Sequence, residues 1–256
     1  MKKITTALIL AFMIVFTVAI QLNNVYAAAG DVAQIGSDSY STLALAVDAV
    51  GDGGTITLLD NISLTGSTVK TVTKSFTLNL NGKNIVSEDR VFDIQKGTVT
   101  LTGQGKIQRT ADSAYTSSTI KISAAQGQAE LIVGQGVTVD STADFAITLF
   151  GSSNLKTLIL NGTASTEISV PGYEISAIGC SGNPGNENFQ ITINDGAVVK
   201  SVSGASIYLP NSGTLTVNGG ILTGTSGIEA KAGSVIVNGG SINATGAIAH
   251  GSDCTR

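Results

Sequence analysis

The chain has 256 residues, with 14 Lys and Arg against 18 Asp and Glu, one histidine, two cysteines and no tryptophan. A net charge of −4 excludes a basic nucleic-acid binder, and 42% apolar residues with 12% charged exclude a disordered chain. One His and two Cys cannot supply the common zinc sites, and no catalytic triad can be traced.

Lys2 and Lys3 precede an apolar run from Ile4 to Ile20, followed by Val25-Tyr26-Ala27-Ala28-Ala29. A charged start, an apolar stretch and small residues at a cleavage point predict a secretory signal peptide over 1–27. An uncleaved anchor is the alternative, because the run approaches the length of a membrane span. No later stretch does, so no further span is expected. Removing Lys2 and Lys3 leaves 12 basic residues against 18 acidic, about −6. Such a chain is not drawn to DNA or anionic lipid, and its partners should bind through shape and hydrogen bonds. Export makes it secreted or cell-surface.

Residues 28–54 read as an N-terminal cap of strand plus short helix. Ser41 to Val50 carries apolar residues at helical spacing, with Ser41 in the N-cap position, and Gly51-Asp52-Gly53-Gly54 stops it. A helix there can cover the open end of a solenoid core.

From 55 onward apolar and polar residues alternate, as in Thr55-Ile56-Thr57-Leu58 and Thr214-Leu215-Thr216-Val217, which means strands with one face inward. Thr214–Gly233 aligns without gaps on Ser234–Asp253 at a period of 20. Corners recur at Asn81-Gly82, Asn161-Gly162, Asn194-Asp195-Gly196, Asn218-Gly219 and Asn238-Gly239. Asn and Gly tolerate the left-handed conformation, and stacked asparagines can bond in a column. The inward residues before the corners, Leu58, Leu80, Leu101, Val133, Leu160, Ile193, Val217 and Val237, are spaced by 20 to 33 residues. The pattern predicts an all-β solenoid of about eight coils with loop insertions, a right-handed parallel β-helix over 55–256. A meander of Asn-Gly hairpins is the alternative, and it gives no reason for a gapless repeat. Phe76, Phe92, Phe145, Phe150 and Phe189 are expected in the core. Outward threonines recur in columns interrupted at Asn79 and Lys156. Cys180 and Cys254 fall about three coils, roughly 14 Å, apart at strand spacing, and a disulfide needs Cα atoms within about 7 Å. No pairing is expected.

Tyr40 to Leu64, together with Leu78-Asn79-Leu80-Asn81-Gly82-Lys83-Asn84-Ile85, resembles the opening of pectate-lyase-superfamily β-helices of bacterial secreted and cell-surface proteins. That superfamily spans lyases, hydrolases, adhesins and stalks, so the resemblance implies fold more than activity. Its lyases use acidic clusters to hold Ca²⁺ with an Arg or Lys as base. Counted from the corners, Asp89, Arg90, Arg109, Asp112, Asp140 and Asp144 fall on one side of three successive coils. They have the residue types for Ca²⁺ and an arginine, but form no lyase motif, and a column of surface ion pairs explains them equally. His250 has only Asp253 and Cys254 nearby, which rules out hydrolysis through His.

Two enlarged coils are the binding candidates, one at Tyr115 and one at Asn183, Asn186 and Asn188. The repeat runs to the last residues without a cap, so the sequence reads as the N-terminal part of a longer surface protein, or as a chain whose open last coil associates edge to edge. The expected role is structural or adhesive, without metal or cofactor, with an extracellular polysaccharide or a host or cell-surface glycan as partner. The alternative is a β-helical polysaccharide lyase or a glycan-binding or glycan-degrading protein, the one case in which Ca²⁺ would enter.

Overall fold

A computed structural model describes residues 30–245, except 67–68, 111–116, 143, 168–174, 181–182 and 184. The expected signal peptide, Asp112, Tyr115, His250 and Cys254 lie outside the described residues.

Alternation at period 2 puts one row of side chains inside and the next outside, and parallel stacking lets each coil satisfy the backbone of its neighbour. The strands form a parallel β-helix of three sheets. Its first sheet contains Gly54–Leu58, Phe76–Asn79, Gly97–Thr102, Ala129–Val133, Lys156–Leu160, Phe189–Ile193, Thr214–Val217 and Ser234–Val237, one strand from each of eight coils. The second runs from Ile62–Leu64 to Ser241–Ala244, and the third from Lys70–Val72 to Ile228–Ala230. Inside, Ile56, Leu78, Leu101, Val133, Leu160, Ile193 and Val217 stack in register, all fully buried. The 20-residue repeat appears as Thr214 paired with Ser234 and Val217 with Val237.

The cap is a hairpin, Ala33–Ile35 with Asp38–Tyr40, laid antiparallel on the first strand, followed by helix α1, Leu43–Ala49. Leu43, Ala46 and Val47 are buried under the first coil. The N-cap is Thr42, one residue after the expected Ser41: its hydroxyl accepts from Leu45 N at 3.2 Å. At the other end Lys74 Nζ donates to the Asp48 and Val50 carbonyls at 2.8 and 2.6 Å, supplying partners the helix lacks.

The asparagine column is shorter than expected. Asn194 Nδ2 donates to Asn161 Oδ1 at 2.9 Å, Asn218 to Asn194 at 3.1 Å and Asn238 to Asn218 at 2.9 Å. Asn81 is not in it. Leu101 pairs with Leu78, so the position in line with the ladder is Asn79. Seven residues separate Leu78 from Ile85 in the second coil, whereas four separate Leu160 from Ala164 in the fifth. Corner length therefore varies, and counting from the corner residue slips by two at Leu80.

The conformational reason for these corners also changes. Among the five asparagines only Asn81 has a positive φ, of 51°; at the corners of Asn194, Asn218 and Asn238 the left-handed residue is a later glycine, such as Gly220, φ 83°. The glycine directly after the ladder asparagine answers to crowding. A Cβ on Gly162 would lie 2.4 Å from the carbonyl oxygens of Gly134 and Val137. Stacked coils leave no room there.

Two further expectations are corrected. Lys156 points inward, in register with Ala129 and Phe189, and the outward residues of that strand are Thr157 and Ile159. Phe76, Phe92 and Phe189 are core residues, but Phe145 and Phe150 lie outside, half-buried. Phe145 covers Gly179 of the next coil, where a Cβ would sit 2.6 Å from its ring.

Candidate functional site

The turn from the second sheet to the third holds a column of buried polar residues. Ser87, Arg109, Ser141, Thr166 and Ser201 are stacked in register at the ends of successive second-sheet strands, all buried. Hydroxyls at this corner satisfy backbone carbonyls: Thr166 of the column donates to Asp144 O, Ser201 to Ile175 O and the neighbouring Thr119 to Asp140 O. Arg109 occupies a position that serine or threonine fills in the second, fourth, fifth and sixth coils.

This is where the charged constellation falls, and it divides. Arg109 Nη1 lies 4.0 Å from Asp144 Oδ2, with side chains 1% and 0% exposed. Asp144 Oδ2 accepts from Ser117 N at 2.7 Å and its Oδ1 from Phe145 N at 3.0 Å. Arg90 Nη2 donates to Ser117 Oγ at 3.3 Å, so Ser117 links Arg90 to Asp144 across two coils. Asp89 turns the backbone beside them, accepting from Arg90 N at 2.7 Å. Asp140 faces the other way, on the outer side of the second sheet. It is held by Gln108 Nε2 at 2.7 Å, Ser165 Oγ at 2.6 Å and Lys106 Nζ at 3.4 Å. The structure thus brings Arg90, Arg109 and Asp144 together and leaves Asp140 apart.

Burial dominates the electrostatics. It pushes the Asp144 carboxyl above its ordinary value, against the pull of the Ser117 and Phe145 N–H groups and of both arginines. It also lowers Arg90, against the raising effect of Asp93 and Asp89. Ca²⁺, which the resemblance implied, takes six to eight oxygen ligands. Asp140 and Asp144 give theirs to protein donors on opposite sides of the wall, and no group of three or more His, Cys, Asp or Glu among the described residues can hold a metal. The described residues do not fit the ion.

The sequence reading missed two members. Asp93 and Lys121 pair in register on the outer face of the third sheet, next to Arg90. Lys121 Nζ stands 4.4 Å over the Phe150 ring, and burial lowers its pKa. Neither residue lies at a corner or in a motif; only strand register could have found them.

The asparagines of the second enlarged coil fasten loops together. Asn186 Oδ1 accepts from Gly151 N at 2.7 Å, Asn188 Nδ2 donates to Ser153 O at 2.7 Å, and Asn183 O accepts from Asn186 and Asn211. Lys156 joins this staple: fully buried, its Nζ donates to the Ser152, Asn154 and Glu187 carbonyls at 2.5, 2.8 and 2.9 Å. Cys180 is buried nearby and burial raises its thiol pKa strongly, which makes it unreactive.

No described helix is long and apolar enough to cross a membrane. Comparison with protein-family models, with curated proteins and with solved structures finds no match.

Proposed function

We propose that this is a secreted or cell-surface β-helix with a structural or adhesive role, resembling the non-enzymatic members of the pectate-lyase superfamily, with an extracellular glycan as partner. The observation that carries this reading is the sealing of Arg109 and Asp144: at 1% and 0% exposure neither is open to a polymer chain. Asp144 ties its coil to the one before through the Ser117 N–H, at 2.7 Å. Fractionation of the native host, followed by binding of the chain to immobilised polysaccharides, tests export and adhesion together. Incubation with acidic polysaccharides and Ca²⁺ should give no unsaturated product. Turnover that disappears in Arg109→Ala, with the fold intact by circular dichroism, would overturn the structural reading.

A second reading, a lyase-like activity on polysaccharides, draws on Arg90, Asp93 and Lys121. Asp93 and Lys121 share the outer face of the third sheet with Arg90 in the turn beside them, and a lysine with a lowered pKa has the character of a general base. It predicts product formation that Lys121→Ala abolishes and Arg109→Ala merely weakens through instability. Equal, zero rates in wild type and Lys121→Ala remove it.

A further inference from the structure

A groove of about 410 Å³ lies on the first sheet where the chain arrives from the third, away from the charged corner. Its size falls in the range of about 300–1,000 Å³ common to small-molecule sites. Gly97 and Ala129 form its floor, and Thr98, Gln128, Glu130 and Thr157 line it with polar groups. Position 97 requires glycine for a physical reason: with φ at 85°, a Cβ would meet the Lys74 carbonyl carbon of the coil before at 2.8 Å.

Glu130 stands at the middle of this groove, in register between Thr98 above and Thr157 below. Its Oε2 accepts from Thr98 Oγ1 at 3.1 Å. Among the described residues Oε1 has no donor, and Glu130 makes no ion pair with any Lys or Arg. It is the sole charged group lining the groove, half-buried, and a carboxylate so placed attracts a cation. The Thr157 hydroxyl and the Gln128 amide line the same groove and can offer hydrogen bonds to further hydroxyls around that cation. A lysine side chain would use the carboxylate and leave those groups idle; a pyranose ring uses both.

We infer that this groove holds an amino-sugar unit of a glycan, with the ammonium on Glu130 and the ring hydroxyls on Thr157 and Gln128. The inference rests on the adhesive reading and adds to it a site and a ligand class.

The test is titration calorimetry of the full chain with a β-linked glucosamine oligomer, the N-acetylated oligomer of equal length and a lysine-rich peptide of equal charge. These are repeated on Glu130→Gln, whose outward side chain leaves the core untouched, as circular dichroism verifies. The glucosamine oligomer should bind, and affinity should fall about tenfold or more both on N-acetylation and in Glu130→Gln, as loss of a charge-assisted bond requires. Binding of the lysine peptide as tight as that of the oligomer overturns the amino-sugar assignment. Glycan binding unchanged in Glu130→Gln overturns the groove and leaves the adhesive reading standing. Failure of every polysaccharide to bind overturns both.

Discussion

The inner ladder asparagines, Asn194 and Asn218, act as a side-chain repeat of the backbone pairing, donating to one coil and accepting from the next. Asn194 does both, at 2.9 and 3.1 Å, and is partly buried. Asn194→Ala should lower stability by about 1–2 kcal/mol, read as a shift of the urea midpoint at constant slope. Gly162→Ala should cost more than the usual penalty for a glycine, since its Cβ would be 2.4 Å from two carbonyl oxygens. An equally stable Gly162→Ala protein would mean that the coils do not approach so closely.

The same scale settles a sign in the pH dependence. Burial raises Asp144 above 3.8, so the folded state holds its proton more tightly than the unfolded chain. This group therefore adds stability as pH falls from above its folded pKa towards about 4, opposite to a carboxylate stabilised by an ion pair. The melting temperature of wild type relative to Asp144→Asn should rise over that window. A difference that falls on acidification would show that the pull of Arg109 and Ser117 outweighs desolvation.

At the scale of elements, helix α1 has only seven residues and depends on its caps and on the first coil. Thr42→Ala removes the bond to Leu45 N and should cost about 1 kcal/mol. Ser41→Ala should cost much less, although sequence spacing pointed to Ser41. Comparing the two by chemical denaturation separates them, and a larger loss in Ser41→Ala would contradict the cap geometry. The second element-scale finding is the corner between the second and third sheets, where hydroxyls satisfy carbonyls coil after coil. Substituting Arg109 there brings a guanidinium inside, and Asp144 and Arg90 gather around it.

For the whole molecule, stability is a sum over coils and their contacts. Thr214 and Ser234 occupy equivalent places, one coil apart, and Ser234 N donates to Gly213 O at 2.9 Å. Deleting residues 214–233 should therefore leave a folded, shorter β-helix. Its urea slope should fall by roughly an eighth, in proportion to the surface exposed on unfolding. A deletion variant without β-sheet signal would show that the coils are not interchangeable units. In the last described coil Val235, Val237 and Ile242 are 40%, 52% and 41% exposed, whereas their counterparts one coil earlier are buried.

The sequence alone determined the alternation, the corners and the period, hence a β-solenoid of eight coils with a helical cap, because each arises within one strand or one repeat. It also marked Arg90, Arg109 and Asp144 as neighbours, since their corner offsets nearly agreed. It could not show that Asn79 rather than Asn81 stands in line with the ladder, because corners of four to seven residues shift the register without changing the strands. The inward turn of Lys156, the outward turn of Phe145 and the pairing of Asp93 with Lys121 were likewise decided by the tertiary structure. Facing is fixed by which residue of the next coil lies alongside, and a one-residue change of register reverses it.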